Sequence, residues 1–222
     1  VAAAIAAGLA ALAALPGEAR AEPAAGADLL GMSIEQLMNV RIVGAYAGDL
    51  KGKLWKFDLS NTAAGSWSVG LSGSPLYDAG TTQPITAPPT LVDHPSGGYV
   101  VAFGTGKFYQ TVDATSTTTQ ALYGVWDSVP VGTTTTPSGV TQTGLTNLVQ
   151  QTISSAITGT QIITNSDLTT STVVLNYYSV SRNPIDWSTK RGWYINLPNS
   201  GQRVIYPMET LIGPIVAVDT MS

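Results

Sequence analysis

The chain has 222 residues, a net charge of −4, one histidine and no cysteine, and only 11% of its residues are charged. The lack of cysteine excludes a disulfide framework and a thiolate site, and nucleic-acid binding is not expected without a basic stripe. With 44% apolar residues the chain can bury a core. Its polar surface must come from Ser, Thr, Asn, Gln and Gly, a composition common in secreted and cell-surface β-proteins.

Residues 1–21 have the pattern of an export leader. An alanine-rich apolar run ends at Pro16-Gly17, and Ala19-Arg20-Ala21 follows it. This is the arrangement of a secretory signal peptide with an A-x-A cleavage site, so we expect cleavage after Ala21. The run is shorter than the roughly 20 residues of a membrane span. The alternative is a short Ala-rich helix of the mature protein.

Residues 22–43 are predicted to form a linker and a short amphipathic helix. Ser33 is suited to cap this helix, because Gln36 follows three residues later and apolar residues then recur at helical spacing. The stretch DLLGMSIEQLMNV also resembles the N-terminal segment of TonB-dependent outer-membrane receptors. The recurring lipid-facing strands of a transmembrane barrel do not follow it. We therefore treat residues 44–222 as an unrelated β-domain.

A β-hairpin is predicted over residues 45–60, AYAGDLKGKLWKFDLS. The first strand runs into Gly48-Asp49, and glycine at the turn supplies the positive φ that tight hairpins need. In the second strand, Leu54, Lys56 and Asp58 alternate with Trp55, Phe57 and Leu59. An aromatic-aliphatic face opposite a polar face is typical of a half-buried antiparallel strand. Asp49 and Asp58 are expected to cap their own turns.

Short strands recur along the rest of the chain. They are expected at residues 100–103, 107–109, 121–126, 173–180, 192–197, 202–206 and 215–218. Residues 129–161 are rich in Thr, Ser, Gly and Gln and are interpreted as an insertion or outer-blade region. Within them, residues 145–157 are a candidate short helix, although their β-branched content disfavours it. Strands of this length with turn residues between them predict an all-β sandwich, barrel or propeller.

Several motifs in this region occur in an order and spacing that resembles one family. They are GDLKGKLWKFDL at residues 48–59, QPITAPP at 83–89, FGTGK at 103–107 and KRGWY at 190–194. Residues 44–222 resemble the C-terminal β-propeller of PilC/PilY-type adhesins, which lie at the tips of type IV pili. The resemblance implies a partial β-propeller of antiparallel strands behind the short N-terminal helical leader. Blades of roughly 40 to 45 residues give about four blades.

The resemblance also implies a function. It indicates a non-enzymatic pilus-associated adhesin or pilus-biogenesis module, active in surface adhesion, pilus assembly and twitching motility. The implied partners are minor pilins or the pilus tip, host or abiotic surfaces, and the outer membrane. The implied location is the periplasm, outer-membrane surface or pilus tip of a Gram-negative bacterium. The alternative is a secreted propeller enzyme of the quinoprotein-dehydrogenase type, since similar blade hairpins occur there, but no acid-rich cluster is visible.

No catalytic, cofactor-binding or metal site is predicted. His94 is expected to be a turn residue, because no G-x-S-x-G nucleophile elbow accompanies it. Gly104-Thr105-Gly106 has an alternative interpretation as a phosphate loop, but the helix that such a loop requires is not expected after it. A glycosidase needs two facing carboxylates, and the sequence does not show which acids face each other. The acids considered are Asp49, Asp58, Asp78, Asp93, Asp113, Asp127, Asp167, Asp186, Asp219 and Glu209.

Calcium and interface residues complete the expectations. Members of the resembled family carry an EF-hand-like acidic loop just before the propeller, where closely spaced carboxylates supply the 6–8 oxygens that Ca²⁺ prefers. Here that position holds residues 35–43, EQLMNVRIV, with a single acid. We therefore expect neither the calcium loop nor the calcium-dependent regulation of pilus extension and retraction that it implies. Candidate interface aromatics, with core packing as the alternative role, are Trp67, Trp126, Trp187 and Tyr206.

Overall fold

The computed structural model describes residues 42–133, 136–154, 157–167, 169–212, 215–217 and 220–221. The predicted leader and the predicted helix lie outside these residues, as does most of the segment that replaces the calcium loop. None of the described residues belongs to a helix with the length and hydropathy needed to cross a bilayer. The described strands are β1 (Gly44–Gly48), β2 (Lys53–Asp58), β3 (Ser68–Val69), β4 (Tyr77–Asp78), β5 (Thr90–Asp93), β6 (Tyr99–Gly104), β7 (Ala121–Asp127), β8 (Gln142–Thr143), β9 (Val149–Gln151), β10 (Ile157–Thr164), β11 (Thr170–Tyr177), β12 (Gly192–Asn196), β13 (Glu209–Ile212) and β14 (Ile215–Ala217).

Most of these strands belong to two five-stranded sheets. The first sheet has the order β1-β2-β4-β8, with β3 also on β2, and the second has the order β5-β6-β7-β12-β9. Pairing is antiparallel except for β4 with β8 and β9 with β12, which are parallel. Two separate hairpins, β10–β11 and β13–β14, complete the described strands. This nearly all-β arrangement, in which the described sheets do not close into a ring, confirms the predicted partial-propeller class.

The hairpin β1–β2 forms where the sequence predicts it. Asp49 closes the turn, because its Oδ1 accepts the backbone N–H groups of Lys51 at 2.8 Å and Lys53 at 2.9 Å. The indole N–H of Trp55 donates to the other carboxylate oxygen at 2.9 Å. Asp58 likewise accepts the backbone N–H two residues ahead, at 2.9 Å. The prediction that both acids cap their own turns is confirmed.

The buried face of β2 is the one that carries a lysine. Leu54 and Lys56 are 0% and 3% exposed, whereas Trp55 and Phe57 are only half-buried. The alternation therefore agrees with the sequence, but the polar face points inward. This reversal has a specific cause, an acid that the second sheet supplies.

That acid is Asp127, the last residue of β7. Its Oδ2 lies 2.7 Å from the Lys56 ammonium and accepts the Tyr46 hydroxyl at 2.5 Å. Lys56 also donates to the carbonyl of Val129, whose own N–H donates to Asp127 Oδ1 at 3.0 Å. Burial and the neighbouring carboxylate raise the pKa of Tyr46 well above its usual value, so the phenol remains a donor. Charges buried this deeply are stable only when paired and hydrogen-bonded, and here the pair joins the two sheets.

The hydrophobic core lies between the sheets beside this pair. Tyr77, Phe103 and Tyr123 form an aromatic cluster with ring centroids 5.1 to 6.0 Å apart, a spacing that favours tilted and offset-stacked rings. The Tyr77 hydroxyl donates to the carbonyl of Gly144 at 2.8 Å, which satisfies its polar end. Burial raises the pKa of Tyr123 to about 12 and raises that of Tyr77 as well.

Two local predictions of strands are wrong, and the disfavoured candidate helix does not form. Residues 107–109 form an irregular loop instead of a strand, and residues 202–206 make one isolated bridge, between Arg203 and Met221. The candidate helix at 145–157 contains β9 instead, which pairs in parallel with β12. The pairing of β9 with β12 and the bridge of Arg203 with Met221 join segments that are separated along the chain, which local periodicity does not report.

His94 lies in the turn between β5 and β6, as predicted, where its backbone N–H donates to the Gly98 carbonyl at 3.0 Å. Its ring is also buried between Trp126 and Trp187, with centroid distances of 4.2 and 4.5 Å. Nδ1 accepts the N–H of Ser96 at 3.1 Å, so the neutral ring carries its proton on Nε2. That nitrogen is buried and has no hydrogen-bond partner among the described residues. Burial lowers the pKa of His94, because protonation would place a charge between the two indole rings.

Replacing Asp127 with alanine is expected to cost about 3–5 kcal/mol of unfolding free energy, because Lys56 would be left buried and unpaired. Guanidinium unfolding followed by circular dichroism measures this loss. The matched control is Asp58→Ala, which removes a half-buried carboxylate with a local hydrogen bond and is expected to cost about 1 kcal/mol. Equal losses for the two variants would contradict a structural role for the buried pair.

The His94→Gln variant is expected to change how stability depends on pH. The folded pKa of His94 is below that of the unfolded chain, about 6.5. As the pH falls below that value, the unfolded state binds the proton first and the wild type loses stability until the folded pKa is reached. The variant lacks this contribution. Thermal melts from neutral to mildly acidic pH should show a shallower decline for the variant, and parallel curves would refute the effect.

Candidate interaction surface

The acids and His94 are the residues that the sequence offers for a chemical site, and of these Asp219 lies outside the described residues. Within the described ranges, no three Asp, Glu or His side chains converge on a position that could hold a metal ion. Asp167 and Asp186 instead accept hydrogen bonds from Thr169 and Ser188 in their own turns. These bonds lower the pKa values of both carboxyls. The prediction of no catalytic or cofactor residue stays a prediction.

The FGTGK motif joins three parts of the fold. The Thr105 hydroxyl is buried, donates to the side-chain oxygen of Gln83 at 2.7 Å and accepts the N–H of Ala121 at 2.9 Å. The N–H groups of the loop are also engaged, because Thr105 donates to the Ala121 carbonyl at 2.9 Å and Gly106 to the Pro84 carbonyl at 2.7 Å. A phosphate would find these two amides already bonded, so the phosphate-loop interpretation fails. The motif instead ties the QPITAPP segment to β7.

The two glycines of this motif make room for a segment from near the C-terminal end. A Cβ on Gly104 would lie 2.4 Å from the Cβ of Val204, and one on Gly106, whose φ is +141°, would lie 2.5 Å from the Cβ of Arg203. Only glycine tolerates both the close approach and the positive φ. Val204 then donates its N–H to the Thr105 carbonyl at 3.0 Å. The crossing places Arg203 beneath the loop that follows the motif.

Arg203 holds both ends of residues 107–116, which we call the aromatic loop. Its guanidinium is buried and donates to the carbonyls of Lys107 at 3.1 Å and Ser116 at 3.3 Å. It also donates to the carbonyl of Asp113. A guanidinium suits this role because it presents five N–H donors in a rigid fork. One buried cation therefore fixes the start, middle and end of the loop.

Asp113 fixes the loop from within. Its Oδ2 accepts the backbone N–H groups of Tyr109 and Gln110, both at 2.9 Å, and its Oδ1 lies 3.2 Å from the Lys107 ammonium. The hydrogen bonds from Gln110 and Tyr109, followed by Lys107, lower the pKa of this carboxyl. These contacts favour the ionised carboxylate of Asp113. Its hydrogen bonds hold the loop backbone in this conformation.

The side chains that this loop presents to solvent are apolar. Phe108, Tyr109 and Val112 are 45%, 61% and 65% exposed. The Arg203 guanidinium carbon lies 5.6 Å from the centre of the Phe108 ring, which supports the ring from below. Single exposed hydrophobic residues are ordinary, but three within five positions form a patch. Rigid exposed aromatic residues are the usual anchors of protein interfaces.

A cleft of about 210 Å³, lined by both polar and apolar groups, adjoins the aromatic loop. Leu50 from the β1–β2 turn, Lys107, Asp113, Gln120 and Arg203 are among the residues that line it. The side-chain oxygen of Gln120 is buried there and has no hydrogen-bond partner among the described residues. We call the aromatic loop and this cleft the loop-and-cleft surface. It combines apolar anchors with a polar border.

The sequence-predicted interface aromatics divide into two groups. Trp67 and Tyr206 are exposed, whereas Trp126 and Trp187 are half-buried around His94. Phe108 and Tyr109 are not among the predicted interface residues, because the sequence predicts a strand at 107–109. The signal that would have identified a turn there is the acid at position 113, spaced to accept the amides of residues 109 and 110.

Comparison with known proteins places these features in a family. A family profile described as the PilY1 beta-propeller domain matches residues 33–166. The type IV pilus biogenesis factor PilY1 of Pseudomonas aeruginosa (strain PAO1) is 35% identical over 211 residues, which cover 80% of this chain and 17% of that protein. A PilY1 homolog of Xylella fastidiosa (strain Temecula1) is 34% identical over 166 residues, covering 71% of this chain and 10% of that protein.

A solved structure agrees with these matches. The crystal structure of the Pseudomonas aeruginosa PilY1 C-terminal domain matches with a TM-score of 0.65 and 32% identity, over 82% of this chain and 41% of that chain. This chain therefore spans less than a fifth of the length of the curated relatives and less than half of the solved domain. The profile match covers more than half of the chain and includes both the β1–β2 hairpin and the FGTGK motif. The chain belongs to the PilY1 β-propeller family.

Proposed function

We propose that this chain is a non-enzymatic module of a type IV pilus biogenesis factor, and that it binds its partners through the loop-and-cleft surface. The observation that supports a binding role is the aromatic loop, whose apolar side chains are exposed while Arg203 and Asp113 hold its backbone. A partner that binds a preformed loop does not have to order it first, which lowers the entropic cost of association. The name of the relatives, type IV pilus biogenesis factor PilY1, supports the pilus context.

Proteins of the pilus tip are the partners that suit this surface best. Aromatic anchors at the centre and polar groups at the rim make up a typical protein interface, and the loop-and-cleft surface has both. We therefore place minor pilins first among the proposed partners. Host and abiotic surfaces are second, with the module exported to the periplasm, outer-membrane surface or pilus tip.

The enzyme alternative receives no support from the geometry of the acids. A quinoprotein dehydrogenase of the kind considered places an acid over its quinone. Asp127 is instead bonded to Lys56, Tyr46 and a backbone amide, and Asp113 is bonded to its own loop and to Lys107. Both buried carboxylates therefore serve the protein's own structure. The expected result of a dye-linked alcohol or sugar oxidation assay is no turnover, and measurable turnover would contradict the non-enzymatic proposal.

The double variant Phe108→Ser/Tyr109→Ser is expected to abolish pilus function without unfolding the protein, because both side chains are exposed. The measurement uses a chimera in which this chain replaces its matching stretch in Pseudomonas aeruginosa PilY1. Surface pili and twitching motility are the readouts. The parent chimera is expected to restore both, and the double variant to restore neither.

The matched control is Trp67→Ser/Tyr206→Ser, which removes two equally exposed aromatic side chains elsewhere. This control is expected to behave like the parent chimera. If the loop variant were as active as the control, the loop-and-cleft surface would not be the binding site. A parent chimera that is exported and folded but restores no pili would contradict the pilus role itself.

Calcium is expected to leave the melting temperature of the chain unchanged. A ligand that binds only the folded state raises the melting temperature by an amount that grows with the logarithm of its concentration relative to its dissociation constant, and residues 35–43 lack the carboxylates for such a site. Calorimetric melting with and without millimolar Ca²⁺ tests this, with Mg²⁺ as the control for nonspecific ion effects. A rise specific to calcium would show that a site exists.

A further inference from the structure

Among the described strands, β10 and β11 form a separate two-stranded arm. They pair with each other along their whole length, from Ile157 opposite Tyr177 to Thr164 opposite Thr170, and among the described strands neither pairs with any other. A two-stranded ribbon is only marginally stable in water, whereas a sheet of three or more strands can be stable. The arm therefore gains stability from any strand that adds to one of its edges.

The backbone groups at the outer edge of β11 can be assigned residue by residue. The carbonyls of Thr169, near the tip, and Ser179, near the base, both accept hydrogen bonds from the opposite strand. The N–H and C=O of one strand residue point to the same side, and the side alternates along the strand. The odd-numbered residues between these two positions therefore face β10. The residues that direct both groups to the open edge are Thr170, Thr172, Val174 and Asn176.

This edge lacks the features that usually prevent strand addition. Natural sheets protect their edges with charged residues, proline or bulges, and neither β10 nor β11 contains a charged residue or a proline. The pairing is regular, without a bulge. Ile162 and Val174 are 71% and 60% exposed and lie on one face of the arm. An uncharged, regular and partly apolar edge is a typical site of β-strand addition.

We propose that the β11 edge pairs antiparallel with the β11 edge of a second copy of this chain, giving a four-stranded sheet β10-β11-β11-β10. One register engages all four edge residues. It sets Thr170 opposite the second copy's Asn176 and Thr172 opposite the second copy's Val174, with two hydrogen bonds for each pair. The two-fold axis then passes through Val173, which faces its own copy in a non-hydrogen-bonded position, with the Cα atoms about 4.5 Å apart.

A second copy suits this edge because a two-fold interface needs only a self-complementary surface. The protein carries a net charge of −4, but none of the charged residues lies in β10 or β11, so two arms approach without like-charge repulsion between facing side chains. The register follows from the alternation of the backbone alone. The association requires no pilus component, so its test is independent of the proposed pilus function.

The first test is sedimentation velocity of the full chain from about 1 to 100 μM, where a dimer is expected to form. Thr172→Pro removes an N–H that points to the open edge and leaves the β10 ladder intact, and proline is tolerated at such positions. Because each dimer loses this bond twice, the dissociation constant is expected to rise about thirtyfold. Thr172→Val keeps the N–H and is expected to leave dimerisation unchanged. Association that survives Thr172→Pro in a correctly folded variant would overturn the proposal.

The second test uses a single introduced cysteine, since the chain has none of its own. Val173→Cys is expected to form a disulfide-linked dimer on mild oxidation, because the two side chains meet at the axis. Val174→Cys is the matched control. Val174 is more exposed than the half-buried Val173, so random collisions would link Val174→Cys faster, whereas in the proposed register it faces Thr172. Equal or faster linking of Val174→Cys, or a monomer at every concentration, would refute the pairing.

Discussion

The buried contact of Lys56 with Asp127 is the constraint on which the two sheets depend. It joins β2 in the first sheet to the end of β7 in the second, and the Tyr46 hydroxyl binds the same carboxylate oxygen. A lysine ammonium is buried in a core together with an anion that pairs with it, because desolvation of an unpaired charge is costly. The pair therefore decides which face of β2 is buried and how the two sheets face each other. The aromatic cluster of Tyr77, Phe103 and Tyr123 packs between the two sheets that this contact joins.

Buried charged side chains also hold the loop-and-cleft surface in place, but there they bond to the backbone of a loop instead of joining two sheets. Arg203 and Asp113 are both buried, and they direct their hydrogen bonds to the backbone of the aromatic loop. Because polar groups below the loop hold its conformation, its apolar side chains are not needed for packing and remain exposed. Buried charge thus holds the loop backbone while the apolar side chains stay exposed, and this arrangement is the basis of the proposed binding role. The glycines of the FGTGK motif make this arrangement possible, since they let Arg203 and Val204 pass close to the loop.

The strands of the β10–β11 arm contribute no buried charged side chain of this kind. Its strands contain no charged residue, and their described contacts are with each other and with the adjoining ends of the ribbon. The loop-and-cleft surface presents exposed side chains, whereas the outer edge of β11 presents backbone N–H and C=O groups. The proposed partner contact and the proposed contact between copies lie on separate parts of the chain.

Features that depend on neighbouring residues can be predicted from the sequence. These are the β1–β2 hairpin, the turn-capping roles of Asp49 and Asp58, the all-β class and the motifs that carry the family resemblance. Features that depend on distant partners appear only in the folded chain, namely the inward-facing Lys56 and the parallel pairing of β9 with β12. The partners of Tyr46 and Arg203 lie 81 and 90 residues away along the chain. Periodicity predicts which residues share a face of a strand, but the residues that pack against the strand from elsewhere in the chain determine which face is buried.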